Sequence, residues 1–246
     1  MDKAYYLEYY TLERNHWWFR ARLNIIELLI GSLTTGNKKI LNVGAATGAT
    51  SIMLQKYGDV TSLEYDKDCC EFTSSKTGLE IINGSITELP FENNTFDFVC
   101  AFDVIEHVED HQKAAQELIR TCKPGGYIFC TVPAYQFLWS KHDEVNQHFR
   151  RYRLRDFSNL FQGISHIYKG YFNFFLFPMI AILRLSDKIL KLNSIRKDAG
   201  SDFSIIKNTT LNSLFFKIMN AEIFFIKKRI SLPFGVSILF SAQKNK

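Results

Sequence analysis

Short apolar runs alternate with amphipathic segments along most of the chain. Apolar residues around Trp17, Trp18 and Phe19, continuing to Gly31, predict two helices within the first 31 residues. Five strand-like runs follow, at residues 39–43, 60–64, 79–82, 96–101 and 127–132. Segments that can form helices or turns separate these runs. Because parallel strands need crossover connections, the alternation predicts a parallel sheet with helices on both faces.

The last hundred residues have a different pattern. A helix at residues 111–122 ends at KPGG, and a stretch rich in aromatic and ionisable side chains follows Pro133 without a clear period, which is typical of a loop lining a site. Beyond this loop the pattern predicts a helix at 154–161, a strand at 166–172, two apolar helical segments and a final strand at 235–242.

Charge divides the chain into two unequal parts. Residues 1–150 carry 14 Lys and Arg against 20 Asp and Glu, a net charge of −6, whereas residues 151–246 carry 16 against 5, a net charge of +11. The basic part also contains the apolar runs 171–183 and 222–234. The combination suggests an anionic partner or surface, although the runs could equally be core helices. The first run has about 13 uncharged residues and is too short to span a bilayer, which takes roughly 20.

The five cysteines show neither disulfide nor zinc spacing, so we expect reduced, mostly buried thiols in a cytoplasmic protein. The first residues are too acidic and aromatic for a signal peptide. At 246 residues, 46% of them hydrophobic, the chain can form a single domain with a packed core.

Residues 39–50, KILNVGAATGAT, join a predicted strand to a helix through a glycine turn. Such a turn lets backbone N–H groups approach a nucleotide-like ligand. Glu64 lies twenty residues after Gly44, at the end of the next predicted strand, where a carboxylate can accept both ribose hydroxyls. A nicotinamide dehydrogenase would need glycine where this chain has Ala46.

Five motifs in this order resemble the class I S-adenosylmethionine (SAM) dependent methyltransferases. They are NVGAATG, Glu64, ITELPF at 86–91, FDFVCAFDVIEHV at 96–108 and KPGGYIFCTVP at 123–133. The resemblance implies a Rossmann-like, mostly parallel seven-stranded sheet with an antiparallel last strand. It also implies an N-terminal helical cap at 1–36, a cofactor-binding core at 37–133, and an acceptor-side loop, helical insertion and closing strands at 134–246. HWWFRAR, the TVPAYQFLW region, YFNFFLFP and LPFGVSIL further resemble a subgroup often associated with polysaccharide or lipid-linked sugar pathways.

The resemblance assigns SAM as cofactor and a set of residues to bind it. Gly44, Ala46 and Gly48 would lie along the methionine moiety and Glu64 would bind the ribose. The remaining predicted contacts are Asn42, Tyr65, Ser85 and Ile86, Ala101, Phe102 and Asp103, and Arg22, which would reach the cofactor carboxylate. The chain departs from the family at Asn42, where an acid is usual, and at Ala46, which would be strained at positive φ.

The residues that follow the fourth and fifth strands are predicted to bind the methyl acceptor and to remove its proton. His107 is a candidate general base because its ordinary pKa suits proton removal at neutral pH, but a packing or helix-start role is the favoured interpretation. His142 and His148 are further candidate bases, and Trp139, Arg150, Arg151 and Tyr152 are candidate acceptor contacts, the arginines through a phosphate or carboxylate. A metal set of His142, Asp143 and His148 is a weaker alternative, and we expect no metal.

The resulting prediction is a SAM-dependent methyltransferase acting on an oxygen of a small or lipid-linked acceptor. Peripheral membrane contact through the C-terminal part is compatible with it, whereas nucleic acid is disfavoured because the basic residues follow no recognisable binding motif. The alternative is a non-catalytic scaffold that has lost cofactor binding at Asn42 and Ala46.

Overall fold

The computed structural model describes residues 3–189 and 209–246, in which one seven-stranded sheet has helices on both faces. The strands are β1 (Lys38–Val43), β2 (Gly58–Glu64), β3 (Ile81–Asn83), β4 (Phe96–Phe102), β5 (Cys122–Pro133), β6 (Ser165–Phe172) and β7 (Ser237–Gln243). Their order is β3-β2-β1-β4-β5-β7-β6. The first five pair in parallel, and β7 runs antiparallel to both β5 and β6. The predicted fold class is confirmed.

Ten α-helices surround the sheet in the described residues. They are α1 (Lys3–Asn15), α2 (Trp17–Gly31), α3 (Ala49–Leu54), α4 (Lys67–Thr77), α5 (His111–Thr121), α6 (Lys141–Val145), α7 (Leu154–Ser158), α8 (Phe177–Ile189), α9 (Thr209–Asn220) and α10 (Ile223–Lys227). Short polar residues begin several of them: the Asp66 carboxylate accepts the Cys69 N–H at 3.1 Å, and Asp110 accepts that of Lys113 at 2.9 Å.

Two hydrophobic cores lie on opposite faces of the sheet. Strand β4 contributes to both, because successive side chains of a strand point to opposite faces. Val99 and Ala101 join the core covered by α5 and α7, whereas Phe98, Cys100 and Phe102 join the core covered by α2 and the late helices. All five cysteines are buried free thiols, as expected.

The N-terminal and late helices pack against each other over one face. The Trp17 N–H donates to Asn212 Oδ1 at 2.7 Å, and the ring of Trp17 lies 5.5 Å from that of Phe215. Asn24 of α2 and Asn220 of α9 are hydrogen-bonded at 3.1 Å. The predicted cap and the predicted insertion therefore form one layer, although residues 190–208 of the insertion lie outside the described part.

The apolar run at 171–183 is divided between two elements. Its first residues end β6, Asn173 takes a positive φ of 58°, and α8 begins at Phe177. Among the residues described here, no helix is both long and apolar enough to cross a membrane.

Candidate functional site: a cleft at the ends of β1, β2 and β4

The glycine turn follows β1 at the point where the sheet order reverses between β1 and β4, which is where open α/β sheets bind ligands. Gly44 and Gly48 have φ values of 72° and 87°. A Cβ on Gly44 would lie 2.3 Å from Val104 Cγ2, so glycine is required there by contact as well as by conformation. Ala46 also has a positive φ, 44°, and therefore adopts the strained conformation that its sequence position suggested.

Glu64 connects this turn with the loop after β2. One carboxylate oxygen accepts the Ala46 N–H at 2.9 Å, and the other accepts the N–H groups of Tyr65 and Asp66 at 2.8 and 3.1 Å. The side chain is only partly buried. Its carboxylate is therefore fixed at the edge of the cleft, where a ribose could reach it.

Asn42 lies beneath the turn and is 1% exposed. Its amide donates to Ser51 Oγ at 2.9 Å, and Ser51 in turn contacts Ser62 at 2.8 Å, so Asn42 joins a buried polar network. An acidic side chain from α1 reaches the glycine turn. The Glu13 carboxylate is buried and accepts a hydrogen bond from the Thr47 hydroxyl of the turn.

Burial raises the pKa of Glu13, while the Thr47 hydrogen bond and the charges of Arg22 and Arg14 oppose the rise. Sequence reasoning missed Glu13. The available signal was an acidic residue close to the aromatic HWWF motif, on a helix that the motif predicts to pack inward.

An ion pair lies at the end of β4. Arg22 of α2 places Nε 2.5 Å from an oxygen of Asp103, which also accepts a hydrogen bond from the Thr131 hydroxyl at 3.0 Å. The Arg22 side chain is buried and that of Asp103 is partly open. Asp103 has a positive φ of 55°, and such strained residues concentrate at functional sites. Two residues predicted separately for the methionine end thus lie together.

The positions predicted to surround the adenine differ in exposure. Tyr65 is 78% exposed, Ser85 is partly buried and Ile86 is buried. Ser85 also accepts the Thr87 N–H at 3.2 Å. Ala101 and Phe102, the last residues of β4, are buried. Asp103, which follows them, has a partly exposed side chain and is the one of these three predicted cofactor contacts that a ligand could reach from solvent.

The acceptor-side histidines cluster beyond Asp103. His107 ends a 3₁₀ helix that follows β4, and its ring meets that of His148 edge-on at 4.5 Å. His142 lies one ring further away, 6.1 Å from His148. His148 Nδ1 is hydrogen-bonded to the Asp143 carboxylate at 2.8 Å. The structure therefore brings all three predicted histidines together.

Asp143 is fully buried and held from several sides. Arg151 donates from Nε and Nη2 at 2.7 and 3.0 Å, and the Ser140 N–H donates at 2.8 Å. Although burial alone would raise it, the pKa of Asp143 is held well below its usual range by the His148 hydrogen bond and the Arg151 charge. Asp143 is thus engaged within the protein, which disfavours the His142/Asp143/His148 metal set.

Glu106 is the unexpected member of this region. It is 1% exposed, and neither carboxylate oxygen has a hydrogen-bond partner within the described residues. Burial, and then the nearby charge of Asp103, raises its pKa well above the usual range. Burial and the neighbouring His148 also lower the pKa of His107 to about 4, so His107 is neutral at pH 7.

The other predicted acceptor contacts are mostly engaged inside the protein. Arg150 donates to the Glu109 carbonyl at 2.9 Å, and the Tyr152 hydroxyl pairs with His111 Nδ1 at 2.9 Å. Trp139 is partly buried at the end of a short 3₁₀ helix. An anion clamp by Arg150 and Arg151 stays a prediction, and it would require Arg151 to release Asp143.

A basic cavity of about 840 Å³ opens next to the acceptor-side loop and away from the glycine turn. Tyr135 and Tyr171 stack within it at 5.1 Å. Its cationic lining residues are Arg151, Arg153, Arg155 and Lys169. Such a cavity suits an anionic group of an acceptor better than it suits the cofactor.

Residues 41–130 match the family model described as "Methyltransferase domain". This segment contains the glycine turn, Glu64 and β4 with its ion-paired aspartate. The matched segment therefore resembles a methyltransferase domain, and the sheet around it has the Rossmann-like fold of methyltransferases.

Particular relatives resemble parts of the chain. A demethylmenaquinone methyltransferase of Staphylococcus aureus is 31% identical over 116 residues, covering 42% of this chain and 48% of that protein. The chain thus spans about half the length of the curated relatives it matches. A methyltransferase-like structure from Bacillus halodurans has a TM-score of 0.59 at 15% identity and covers 90% of this chain and 99% of its own. Phosphoethanolamine N-methyltransferase 2 of Haemonchus contortus, solved with SAM, has a TM-score of 0.57 at 15% identity. The match covers 92% of this chain and 52% of that protein's chain.

Proposed function

We propose that this protein transfers a methyl group from SAM to an oxygen of a small or lipid-linked acceptor. The observation that carries this proposal is the Arg22–Asp103 ion pair at the methionine end of the cleft. An α-amino acid group presents a carboxylate and an ammonium side by side. A cation and an anion held next to each other complement it, and Glu64 at the other end suits a ribose.

The scaffold alternative is weakened by the state of the turn. Both glycines keep the required conformation, and Ala46 still presents its N–H to Glu64 at 2.9 Å. Glu13 supplies a carboxylate to the turn in place of the acid missing at Asn42. The departures from the family pattern therefore leave a cleft with the features that SAM needs.

The transfer is an in-line displacement for which the protein supplies alignment and a proton acceptor. The acceptor oxygen forms a bond to the methyl carbon while the carbon–sulfur bond breaks, and S-adenosylhomocysteine leaves. If the acceptor is a hydroxyl, its proton passes to a base. His148 is the best-oriented candidate, because Asp143 fixes its Nδ1 and leaves Nε2 for the reaction.

A lipid-linked acceptor is supported by the surface of α8. Met179, Ile182 and Leu183 are between 40 and 68% exposed, forming an apolar face on this helix. The same helix contacts the acceptor-side loop, because Arg184 donates to the Leu138 carbonyl at 2.7 Å. An apolar tail lying on α8 would thus lead toward the loop, and the basic cavity nearby suits an anionic head group.

The test of the cofactor is calorimetric titration with SAM and with S-adenosylhomocysteine. We expect micromolar binding, and we expect Glu64→Ala to weaken it by about 1–3 kcal/mol through the lost ribose hydrogen bonds. Asp68→Ala, an exposed acid on the neighbouring α4, is the matched control. Absence of binding at millimolar ligand would favour the scaffold alternative.

Membrane contact is tested by flotation with vesicles of phosphatidylglycerol and phosphatidylcholine. We expect binding to the anionic vesicles and a loss of it in Ile182→Ser. Leu7→Ser is the control, because Leu7 of α1 is also an exposed apolar side chain, 51% exposed compared with 68% for Ile182. It should not change vesicle binding. Equal flotation of both variants would refute a role for α8.

A further inference from the structure

The acceptor side of the cleft contains a three-residue donor cluster, Glu106, His107 and His148. One ligand atom from each lies within 4.8 Å of the other two. Two segments distant in sequence form the cluster, and they are joined by a hydrogen bond of 2.8 Å from the Phe149 N–H to the Glu106 carbonyl. The backbone therefore holds the donors in proximity.

The donor cluster includes a carboxylate that lacks a partner. Glu106 is 1% exposed, and no residue in the described ranges donates a hydrogen bond to either of its oxygens. Burying an ionised carboxylate without compensation is costly, and buried charges are normally paired or bound to metals. Asp103 adds negative charge nearby, and Arg22 and Arg151 add positive charge, but neither arginine donates a hydrogen bond to the Glu106 oxygens. The site therefore favours a cation.

His148 is oriented as a metal ligand would be. Its Nδ1 is bonded to Asp143 at 2.8 Å, and Asp143 is anchored by Arg151 at 2.7 Å. The free ring nitrogen, Nε2, remains to bind a ligand. Metal-binding histidines commonly use their second nitrogen in this way, because the carboxylate fixes both tautomer and ring orientation.

We propose that Glu106, His107 and His148 bind a divalent transition-metal ion beside the methyl-transfer site. Two imidazoles and one carboxylate suit Zn²⁺, Co²⁺, Fe²⁺ or Mn²⁺ better than Mg²⁺ or Ca²⁺, which prefer oxygen ligands. Bonds of about 2.0–2.2 Å place tetrahedral ligand atoms roughly 3.4 Å apart. Because the donor atoms now lie within 4.8 Å of one another, binding would draw any pair together by at most about 1.4 Å.

Of the three donors His107 is the most exposed residue, although its ring packs against that of His148, so one side of such an ion would be open to solvent. An open coordination position is typical of metal ions that act on substrates. Its use here rests on the proposed function: an acceptor hydroxyl bound to the ion would ionise more readily, and the histidines would then serve as ligands and not as free bases. Binding of the ion itself does not depend on methyl transfer.

The experiment is a titration of the tag-free, metal-stripped protein with Co²⁺, followed by its visible absorption spectrum, and with Zn²⁺ by calorimetry. We expect d–d bands and saturation at one ion per chain, with Mg²⁺ binding at least tenfold more weakly than Zn²⁺. Glu106→Gln, His107→Asn and His148→Asn should each weaken Co²⁺ binding at least tenfold. His142→Asn, the neighbouring histidine outside the donor cluster, should not.

Glu106→Gln separates a ligand from a structural residue. Gln keeps the size of the side chain and breaks no hydrogen bond of the Glu106 carboxyl group among the described residues, so the metal-free variant should melt within a few degrees of the parent while its Co²⁺ affinity falls. No saturable Co²⁺ or Zn²⁺ binding, or binding that all three variants retain, would overturn the proposal. SAM titration of the same samples is independent: cofactor binding without metal binding refutes only the metal site, and the converse refutes only the proposed function.

Discussion

The backbone of Ala46 provides the sharpest test of the cofactor turn. Its φ of 44° lies in the left-handed region, which costs an L-residue roughly 1–2 kcal/mol. Ala46→Gly removes this cost. Glycine also gives the unfolded chain more conformational freedom, which lowers the stability of the folded state by about 0.4–1 kcal/mol. The predicted result is a protein more stable by about 0.5–1 kcal/mol.

Ala45→Gly is the matched control, because Ala45 is adjacent, has no positive φ and is 2% exposed. It should lose stability by about 1–2 kcal/mol, from the buried methyl group and from the unfolded-chain term. Urea denaturation of both variants and the parent measures the difference.

The cofactor affinity of Ala46→Gly should be at least that of the parent, since the N–H that donates to Glu64 is kept. If Ala46→Gly instead destabilises as much as Ala45→Gly, the residue does not occupy the left-handed region. The strained turn, and the argument that it still forms a cofactor cleft, would then be wrong.

Three further predictions concern stability and are read by urea denaturation. Asp143→Asn should cost about 3–5 kcal/mol, because it leaves a buried guanidinium without its anion, and a loss below 1 kcal/mol would contradict the buried ion pair. Gly44→Ala should lower the free energy of unfolding by about 1–3 kcal/mol more than Gly36→Ala does, because both glycines have φ near 70° but only a methyl group at position 44 would clash with Val104. Equal losses of stability in the two variants would refute this contact. Burial raises the pKa of Glu222 to about 7, although hydrogen bonds from three backbone N–H groups to its carboxylate partly offset the rise. The folded state therefore binds this proton more tightly than the unfolded state does. The parent should therefore lose about 2.5 kcal/mol more than Glu222→Gln between pH 5 and 7.5, and parallel pH profiles of the two proteins would show that Glu222 has an ordinary pKa.

The strands of the sheet were largely predictable because each has its own local pattern. The predicted runs at 39–43 and 96–101 correspond to β1 and β4 within one residue at each end. Strand β5 was predicted too short, since KPGG interrupts its pattern. In the structure Cys122 pairs with Phe96, and the strand begins there. Pairing with a neighbouring strand extended an element that local sequence would have ended.

The division of the run at 171–183 could not be predicted locally. The Glu222 carboxylate accepts the N–H groups of Asn173, Phe174 and Phe175 at 2.7, 2.7 and 3.1 Å, and so stabilises the turn between β6 and α8. This contact spans nearly fifty residues. Hydrophobic periodicity reports only on neighbours along the chain, and it therefore predicted apolar character without the break.

The site was predictable where its residues follow strands, because the carboxyl ends of parallel strands meet at one edge of the sheet. This explains why Glu64 and Asp103 were placed correctly at the cleft edge, although their roles stay predictions. The partners of these residues were harder to predict. The carboxylate of Glu106 was singled out only by its burial and lack of hydrogen bonds, and neither property is visible in the motif EHV.

The N-terminal helices place a carboxyl group beside the glycine turn and a guanidinium beside the end of β4, which bears on the departure at Asn42. Glu13 of α1 supplies a carboxylate to the turn, and Arg22 of α2 pairs with Asp103. A family pattern records the sequence position of an acid, whereas a ligand responds to the position of the charge in space. We expect Glu13, on a helix outside the predicted core at 37–133, to take the place of the acid that is missing from β1. We therefore predict that residues 37–133 alone bind SAM more weakly than the whole chain does, because Glu13 and Arg22 lie on the helices at 1–36.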